Sequence, residues 1–420
     1  MRCLLLTAAA VFFTSFPIAA AEKPNVLMIV GDDWGWTDFG FMGHRTVRTP
    51  HLDKLAADSA VFPNAYTPTS LCRASLATLL TGQFAHQHRI CCNDPPQGVD
   101  RSEMLPFLKN SPTIPRLLKE SGYRSFQSGK FWEGHFSNGG FTDGMTTKGR
   151  HGDEGLVVGR QGVKPVTDFI EAGKGPWYIW YAPMMPHLPH NPPERLLKKY
   201  QQDGRDPRLA AYYAMCEWTD ETVGELMKYL DDHKLADNTI VLFVVDNGWV
   251  QSQGQAKSGD QFLTRSKNTP YEGGVRTPVI LHWPGHTKSG TYEDLVSTVD
   301  IAPTLLAACG VAPTKEMTGA NLLDVAAGKG PLKRSAVFGE IYIHTALKLD
   351  DPAVNLTHRW VRQGDWKLIV SAGGKTVEPE LFDLKNDPYE KKNVAPGNDA
   401  TVARLTKLMQ DEWNPIRVKK

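Results

Sequence analysis

The chain has 420 residues, of which 41% are hydrophobic, so it can bury a large core and exceeds the size of one small domain. Its 47 basic and 46 acidic residues leave a formal net charge of +1. This balance creates no global field that would attract nucleic acid or an anionic membrane, so any recognition of anions is expected to be local.

The N-terminus carries the pattern of a secretory signal peptide over residues 1–21. A basic start at Arg2 is followed by an apolar stretch and by three alanines at 19–21. The alternative is an uncleaved anchor helix, but polar residues and Pro17 interrupt the apolar stretch, which is shorter than the roughly 20 residues of a membrane span. We therefore expect export to the periplasm or the extracellular space and no membrane span in the mature chain.

Buried strands alternate with helices along most of the chain. Apolar runs rich in Val, Ile, Tyr and Trp occupy 25–31, 177–185, 239–248 and 278–285, and helical patterns lie between them, the longest at 208–230. This alternation predicts an α/β fold, with a large mixed, mostly parallel sheet that is covered by helices on both faces.

The pattern changes after about residue 330, where shorter polar and apolar alternations begin. Residues 359–374 predict an antiparallel hairpin, and a terminal helix is expected from about 399 to 413. We therefore expect a large domain over 22–335 and a smaller C-terminal α+β subdomain with an antiparallel sheet over 336–420.

Acidic residues follow two of the predicted strands. Asp32 and Asp33 come directly after the first strand, and Asp246 and Asn247 end another. Ligands collect beyond the carboxyl ends of strands in open α/β sheets, and a set of oxygen donors suits Ca²⁺ or Mg²⁺. The alternative is that each pair only caps a helix or forms a turn.

A cysteine, Cys72, stands at the predicted start of a helix over 74–81. Unpaired amides at a helix N-terminus favour an anion or an anionic transition state. The alternative is a buried structural cysteine.

The segment CRASLATLLTG at 72–82 resembles the signature of the type I sulfatases of the alkaline phosphatase superfamily. In that signature, cysteine, any residue, Pro or Ala, Ser and Arg precede a Leu-Thr-Gly ending. Further segments resemble family landmarks in the same order over nearly the whole mature chain. These segments are NVLMIVGDD (25–33), HLDKLAADSAVFPNAY (51–66), SGYRSFQSGK (121–130), MMPHLPH (184–190), VVDNG (244–248), SKNTPYEGGVRTPVILHWPG (266–285), VDIAPTLLAACGV (299–311) and ELFDLKNDPYEKKNV (380–394).

The resemblance implies an alkaline phosphatase-like fold and a set of site residues. A maturase would oxidise Cys72 to formylglycine, whose hydrated aldehyde is the family's nucleophile. The modified Cys72 would complete a Ca²⁺ site whose other ligands are Asp32, Asp33, Asp246 and Asn247. Mg²⁺ is the less expected ion. Lys130 and Lys267 would bind the sulfate oxygens, His187 would stand near the bridging oxygen, and His190 would line the same pocket.

Two positions depart from the family pattern. The signature arginine is replaced by Leu76, and an arginine instead follows the cysteine as Arg73. Because positions three apart share a helix face, Arg73 could supply the missing cation; the alternative is that it points to solvent. The usual histidine two residues after Lys130 is Trp132, which cannot transfer a proton.

The loss of that histidine leaves the source of the leaving-group proton open. Either His135 reaches into the pocket, or His187 and solvent carry the proton. Trp132 would then form an apolar wall or stack on a sugar.

The sequence therefore predicts an exported, Ca²⁺-dependent sulfuric ester hydrolase that acts on a sulfated small molecule or glycan. One alternative is a phosphodiesterase or phosphonate monoester hydrolase of the same superfamily. The other is a catalytically silent protein that binds sulfated glycans, an option that the departures at Leu76 and Trp132 raise.

Overall fold

A computed structural model describes residues 23–201, 204–250, 265–372 and 378–414. The predicted signal peptide lies outside these residues. Within the described ranges, no helix combines the length and the apolar character that a membrane crossing needs.

The strands form two separate sheets. They are β1 (Asn25–Gly31), β2 (Ala60–Tyr66), β3 (Arg124–Gly129), β4 (Asp143–Gly144), β5 (Trp177–Ala182), β6 (Thr239–Val245), β7 (Arg276–His282), β8 (Gly290–Thr291), β9 (Val296–Ser297), β10 (Ala336–Tyr342), β11 (Leu356–Gln363), β12 (Trp366–Ser371) and β13 (Glu380–Asp383).

The α-helices lie mostly between these strands along the chain. They are α1 (Pro50–Ala57), α2 (Cys72–Thr81), α3 (Ala85–His88), α4 (Leu105–Lys109), α5 (Ile114–Glu120), α6 (Lys164–Glu171), α7 (Glu194–Tyr200), α8 (Pro207–Asp232), α9 (Glu272–Val275), α10 (Ile301–Ala308), α11 (Leu323–Ala326), α12 (Pro352–Asn355) and α13 (Asp399–Glu412).

The large sheet has the strand order β4-β3-β5-β1-β6-β7-β2-β8, with β9 also paired to β2. Strand β1 is parallel to both of its neighbours, β5 and β6, whereas β7 is antiparallel to β6 and to β2. The predicted mixed, mostly parallel sheet is therefore confirmed.

Both faces of this sheet are covered by helices. Alternate residues of β1 point to opposite faces, so Met28 packs with α2, α5 and α10, whereas Ile29 packs with α1, α6 and α8. Every residue of β1, β5 and β6 is buried, which explains why these strands are continuous apolar runs.

The second sheet is antiparallel, with the order β10-β11-β12-β13. Its hairpin of β11 and β12 and the terminal helix α13 match the predicted elements, and Leu405 and Met409 of α13 pack on its strands. The first strand begins at Ala336, while the domain boundary at 335 stays a prediction.

A buried ion-pair group joins the two sheets. Lys367 of β12 lies 2.9 Å from Glu272 and 3.0 Å from Glu390, and both carboxylates are fully buried. This contact fixes the small sheet against the end of the large sheet at which β6 ends and β7 begins.

Candidate active site

The acidic residues that follow β1 and β6 meet at the carboxyl end of the large sheet. The backbone N–H of Asp33 donates to Asp246 Oδ1 at 3.1 Å, and Asn247 Nδ2 donates to Asp33 Oδ1 at 2.7 Å. Because β1 and β6 are adjacent and parallel, their ends bring these residues together as the sequence predicts.

Helix α2 places Cys72 directly beside this acidic group. Cys72 is the first residue of the helix, and its Sγ lies 3.7 Å from Asp33 Oδ1. Ser75, one turn along, donates to the backbone carbonyl of Asp246 at 2.6 Å and so holds the helix on the loop after β6. Burial raises the pKa of the Cys72 thiol to about 12, so the unmodified thiol is protonated at neutral pH.

Two buried lysines complete the centre of the site. Lys130 follows β3, and its Nζ lies 2.5 Å from Asp32 Oδ1. Lys267 Nζ bonds Asp33 and lies 2.8 Å from Cys72 Sγ. Burial alone lowers the pKa of a lysine. Here the surrounding negative charges outweigh burial and raise the pKa of both lysines, with Asp32 the main contributor for Lys130 and Asp33 for Lys267. Both lysines therefore stay charged.

The donor set fits a divalent cation. Three buried side-chain oxygens have no hydrogen-bond partner among the described residues: Asp32 Oδ2, Asp246 Oδ2 and Asn247 Oδ1. In addition, Asp32, Asp33, Cys72 and His187 each offer an atom within 4.8 Å of the others. Buried carboxylate oxygens without donors are costly unless a cation binds them, and oxygen ligands suit a hard ion.

Burial raises the pKa of Asp246 well above its usual range, and the charge of Asp32 adds to this effect. A bound cation would relieve this repulsion between the two carboxylates.

Two histidines from the loop after β5 border the site. His187 Nδ1 lies 2.6 Å from the Leu188 carbonyl and donates to it, which leaves Nε2 directed at Asp33 Oδ2, 3.5 Å away. The buried Nε2 of His190 has no hydrogen-bond partner in the described ranges, and burial lowers the pKa of His190 to about 4. His190 is therefore neutral at neutral pH.

A third histidine, His151, was missed by sequence reasoning. Its ring centroid lies 4.4 Å from that of Trp132 and 6.1 Å from that of His187. Its Nε2 lies 2.7 Å from Arg150 Nη1 and accepts from it, and burial together with the charge of Lys130 lowers the pKa of His151 to about 3. His151 comes from a long loop between β4 and α6, where no periodicity or motif marks it.

Arg73 is buried against an acidic partner. Its Nε and Nη2 donate to the two carboxylate oxygens of Glu133 at 2.7 and 2.8 Å, and Nη2 also donates to the Met104 carbonyl. The solvent-facing alternative is wrong, because Arg73 is only 2% exposed. These contacts anchor the start of α2 to the loop after Lys130. They do not support the prediction that Arg73 replaces the missing signature arginine, which stays a prediction.

The contacts of Trp132 and His135 bear on their predicted substrate-binding roles, which stay predictions. Trp132 is 3% exposed, and the guanidinium groups of Arg101 and Arg150 lie over its ring, so it has no free face on which a sugar could stack. His135 is exposed and caps a short 3-10 helix, with its Nδ1 accepting from the Ser137 N–H. The burial of Trp132 favours the predicted apolar wall over sugar stacking. Proton transfer by His135 stays a prediction that these contacts do not support.

Residues 24–311 match the family described as Sulfatase, which is more than half of the chain. The chain belongs to the sulfatase family. As a member, this sulfatase is a sulfuric ester hydrolase. Residues 264–419 also match the family described as N-sulphoglucosamine sulphohydrolase, C-terminal.

Relatives and solved structures extend this result. The sulfatase is 28% identical to the N-acetylgalactosamine-6-sulfatase of Homo sapiens, over 94% of this chain and 87% of the relative. Its fold is similar to that of Ps i-CgsB in complex with k-i-k-neocarrahexaose, with a TM-score of 0.75, 22% identity and coverage of 93% and 92% of the two chains. It is also similar to the phosphonate monoester hydrolase of Agrobacterium radiobacter, with a TM-score of 0.72, 19% identity and coverage of 92% and 94%. At these identities the two structural similarities concern the fold alone.

Proposed function

We propose that this sulfatase is an exported enzyme that hydrolyses a sulfate ester on a carbohydrate, with formylglycine made from Cys72 as the nucleophile and Ca²⁺ as the bound ion. The observation that carries this proposal is the packing of Cys72 Sγ within 2.8 Å of Lys267 and 3.7 Å of Asp33, beside three unpartnered oxygens. Nucleophile, anion-binding cations and metal ligands thus share one buried site.

The cation would be held by Asp32, Asp33, Asp246 and Asn247. When bound, it supplies positive charge that polarises the nucleophile and a sulfate oxygen. Carboxylate and amide oxygens favour Ca²⁺ or Mg²⁺ over Zn²⁺, and the four side chains offer the high oxygen count that Ca²⁺ prefers.

We expect the nucleophile to be a modified Cys72, as the resemblance to the type I sulfatases implies. The thiol has a pKa of about 12 because of burial, so it offers almost no thiolate at neutral pH. A maturase that uses a two-electron oxidant would break the Cβ–S bond, release the sulfur as sulfide and leave an aldehyde, whose hydrate presents two hydroxyl groups. Since Cys72 is 1% exposed, the maturase would have to act on the chain before it folds.

The remaining roles follow from charge and position. Lys130 and Lys267 are buried ammonium groups that would neutralise the sulfate oxygens in a site of low dielectric. His187 directs Nε2 into the site. In the imidazolium form, in which both ring nitrogens carry a proton, it could give the Nε2 proton to the leaving alcohol oxygen while Nδ1 still donates to the Leu188 carbonyl. The helix N-terminus at Cys72 adds partial positive charge.

A carbohydrate substrate is supported by the relatives rather than by the pocket itself. The human relative is an N-acetylgalactosamine-6-sulfatase, and Ps i-CgsB was solved in complex with k-i-k-neocarrahexaose. Export is proposed from the leader pattern at residues 1–21.

The test is release of inorganic sulfate from sulfated monosaccharides by the Ca²⁺-loaded protein, compared with the Cys72→Ala variant. Activity in the wild-type protein and its loss in the variant are expected. Equal rates in both proteins would contradict the assignment of Cys72.

A phosphonate or phosphodiester hydrolase is the second candidate, because a phosphate diester is similar to a sulfate ester in shape and charge and the Agrobacterium radiobacter enzyme has the same fold. A matched comparison of an aryl sulfate with an aryl phosphate diester separates the two candidates, since a higher kcat/KM for the diester would favour the second. If the protein only binds glycans and is catalytically silent, neither substrate should be hydrolysed.

A further inference from the structure

A cluster of charged side chains borders the active site and takes no part in the proposed chemistry. We call it the rim cluster, and it consists of Asp94, Arg101, Arg150 and His344. Arg150 donates to both carboxylate oxygens of Asp94 at 2.6 Å, and Arg101 donates to Asp94 Oδ1 at 3.0 Å. His344 Nδ1 lies 3.6 Å from Asp94 Oδ2.

The rim cluster is built from segments that are far apart in the sequence. The backbone N–H of Asp94 donates to the His344 carbonyl at 3.3 Å, and the N–H of Ala346 donates back to Asp94 at 2.9 Å. This pairing holds the C-terminal subdomain against a loop of the large domain. The cluster is therefore a fixed feature of the fold.

Two contacts place the rim cluster next to the catalytic residues. Arg150 Nη1 donates to Nε2 of His151, whose ring lies 6.1 Å from that of His187. Arg150 also lies over the ring of Trp132, at 4.6 Å from the centroid, and Lys130 Nζ lies 5.8 Å from the same centroid. Arg150 and the predicted sulfate-binding lysine thus both lie within 6 Å of the centre of the Trp132 ring.

The charge of the rim cluster is not balanced. Two guanidinium groups against one carboxylate leave +1 without any contribution from His344. Arg101 Nε and Nη2 are buried and have no hydrogen-bond partner among the described residues. The side chains of Arg150 and His344 are 41% and 47% exposed, so an incoming ligand can reach them.

We propose that the rim cluster is a second anion subsite, which binds a sulfate or carboxylate group carried by the sugar that holds the scissile ester or by the sugar next to it. The inference rests on the proposed hydrolysis of carbohydrate sulfates and deepens it, because it names the substrate class as a glycan with more than one anionic group. Asp94 orients the two guanidinium groups, and Arg150 and Arg101 supply the charge. Asp94 occupies the Nε and Nη2 side of Arg150, so an anion would be bound by the remaining protons on Nη1 and Nη2 of Arg150 and by Nε and Nη2 of Arg101.

The experiment measures binding rather than turnover, by calorimetry with the full chain carrying Cys72→Ala. The probes are N-acetylglucosamine 6-sulfate, glucosamine 2-N,6-O-disulfate, and a disaccharide that joins a uronic acid to a 6-sulfated N-acetylgalactosamine. Arg150→Met is expected to weaken binding of at least one doubly charged probe about tenfold more than binding of the singly charged one, which corresponds to loss of one charge-assisted contact. The probe that is affected shows whether the second anion is a sulfate or a carboxylate.

The matched control is Arg195→Met, because Arg195 is an exposed arginine that also pairs bidentately, with Glu221 on α8. It is expected to change binding of none of the probes. Arg150→Lys keeps the charge without the fork and is expected to recover part of the affinity, and thermal unfolding of each variant verifies that it folds.

Three results would overturn the subsite: an equal loss for all three probes, an equal effect of Arg195→Met, or doubly charged probes that bind Cys72→Ala no more tightly than the monosulfate. A failure of the mature enzyme to hydrolyse any sulfate would refute the proposed function, while the binding comparison would still decide the subsite.

Discussion

Lys267 Nζ lies 2.8 Å from Cys72 Sγ, so the predicted nucleophile and one of the predicted anion-binding cations are in direct contact. The same ammonium group also bonds Asp33, which follows β1. A single lysine therefore links the helix that carries the nucleophile to the loop that carries the metal ligands.

Replacing Lys267 is expected to remove charge stabilisation from the transition state. Lys267→Met should lower kcat/KM for a sulfate ester by about 10²- to 10³-fold, the usual cost of losing one preorganised donor. Steady-state kinetics with an aryl sulfate measure the loss. The control is Lys228→Met, which removes an exposed lysine paired only along its own helix. A loss smaller than threefold in Lys267→Met would contradict the assigned role.

Metal binding should stabilise the folded protein. Oxygens of Asp32, Asp246 and Asn247 that accept no hydrogen bond from the described residues lie in a buried site, so Ca²⁺ at 100 times its dissociation constant is expected to add about 2.7 kcal/mol to the free energy of unfolding. Thermal unfolding of chelator-treated protein with and without added Ca²⁺ tests this. Asp246→Ala should abolish the Ca²⁺-dependent increase in stability. An unchanged increase in that variant would show that Ca²⁺ binds at another site.

The pair of Arg73 and Glu133 is expected to act in folding rather than in catalysis. Both side chains are almost fully buried, and removal of one partner leaves an uncompensated charge, so Arg73→Met should cost about 3–5 kcal/mol of unfolding free energy. The double variant Arg73→Met with Glu133→Leu should cost less than the single variant. Urea unfolding measures all three proteins. If Arg73→Met instead left stability unchanged and reduced kcat, Arg73 would be the substitute for the missing signature arginine.

His88 should make the protein sensitive to acid. Its Nδ1 accepts from the Ile90 N–H at 3.1 Å, so Nε2 carries the proton and donates to Thr78 Oγ1 at 3.2 Å. Burial lowers the pKa of His88 from 6.5 to about 3. Between these values the unfolded chain binds the additional proton, so the contribution is present above about pH 6.5 and is lost as the pH falls toward 3.

The variant His88→Gln keeps a neutral hydrogen-bonding group without the titration. Unfolding free energies measured from pH 7 to pH 4 should therefore fall less steeply in His88→Gln than in the wild-type protein. Parallel curves for the two proteins would show that His88 is not held neutral.

The sequence predicted the centre of the site because that centre depends on strand ends. Asp33 and Asp246 follow apolar runs that are predicted as strands of an α/β sheet and that are neighbouring and parallel in the structure, and Cys72 begins the helix that lies beside them. Arg73 was harder to place, because its position on a helix does not reveal that Glu133, 60 residues later, neutralises it. His151 could not be predicted, because its place beside Trp132 depends on the path of a loop with no repeating pattern.

The central claim is that formylglycine at position 72 is the nucleophile of a sulfate ester hydrolase. The most direct measurement is mass spectrometry of the peptide that contains Cys72, combined with sulfate release by the same preparations made with and without a co-expressed maturase. We predict that sulfate release rises in proportion to the converted fraction and is absent in preparations that contain only cysteine. Equal activity in unconverted protein, or no activity in fully converted, Ca²⁺-loaded protein on any sulfated sugar or aryl sulfate, would contradict the claim.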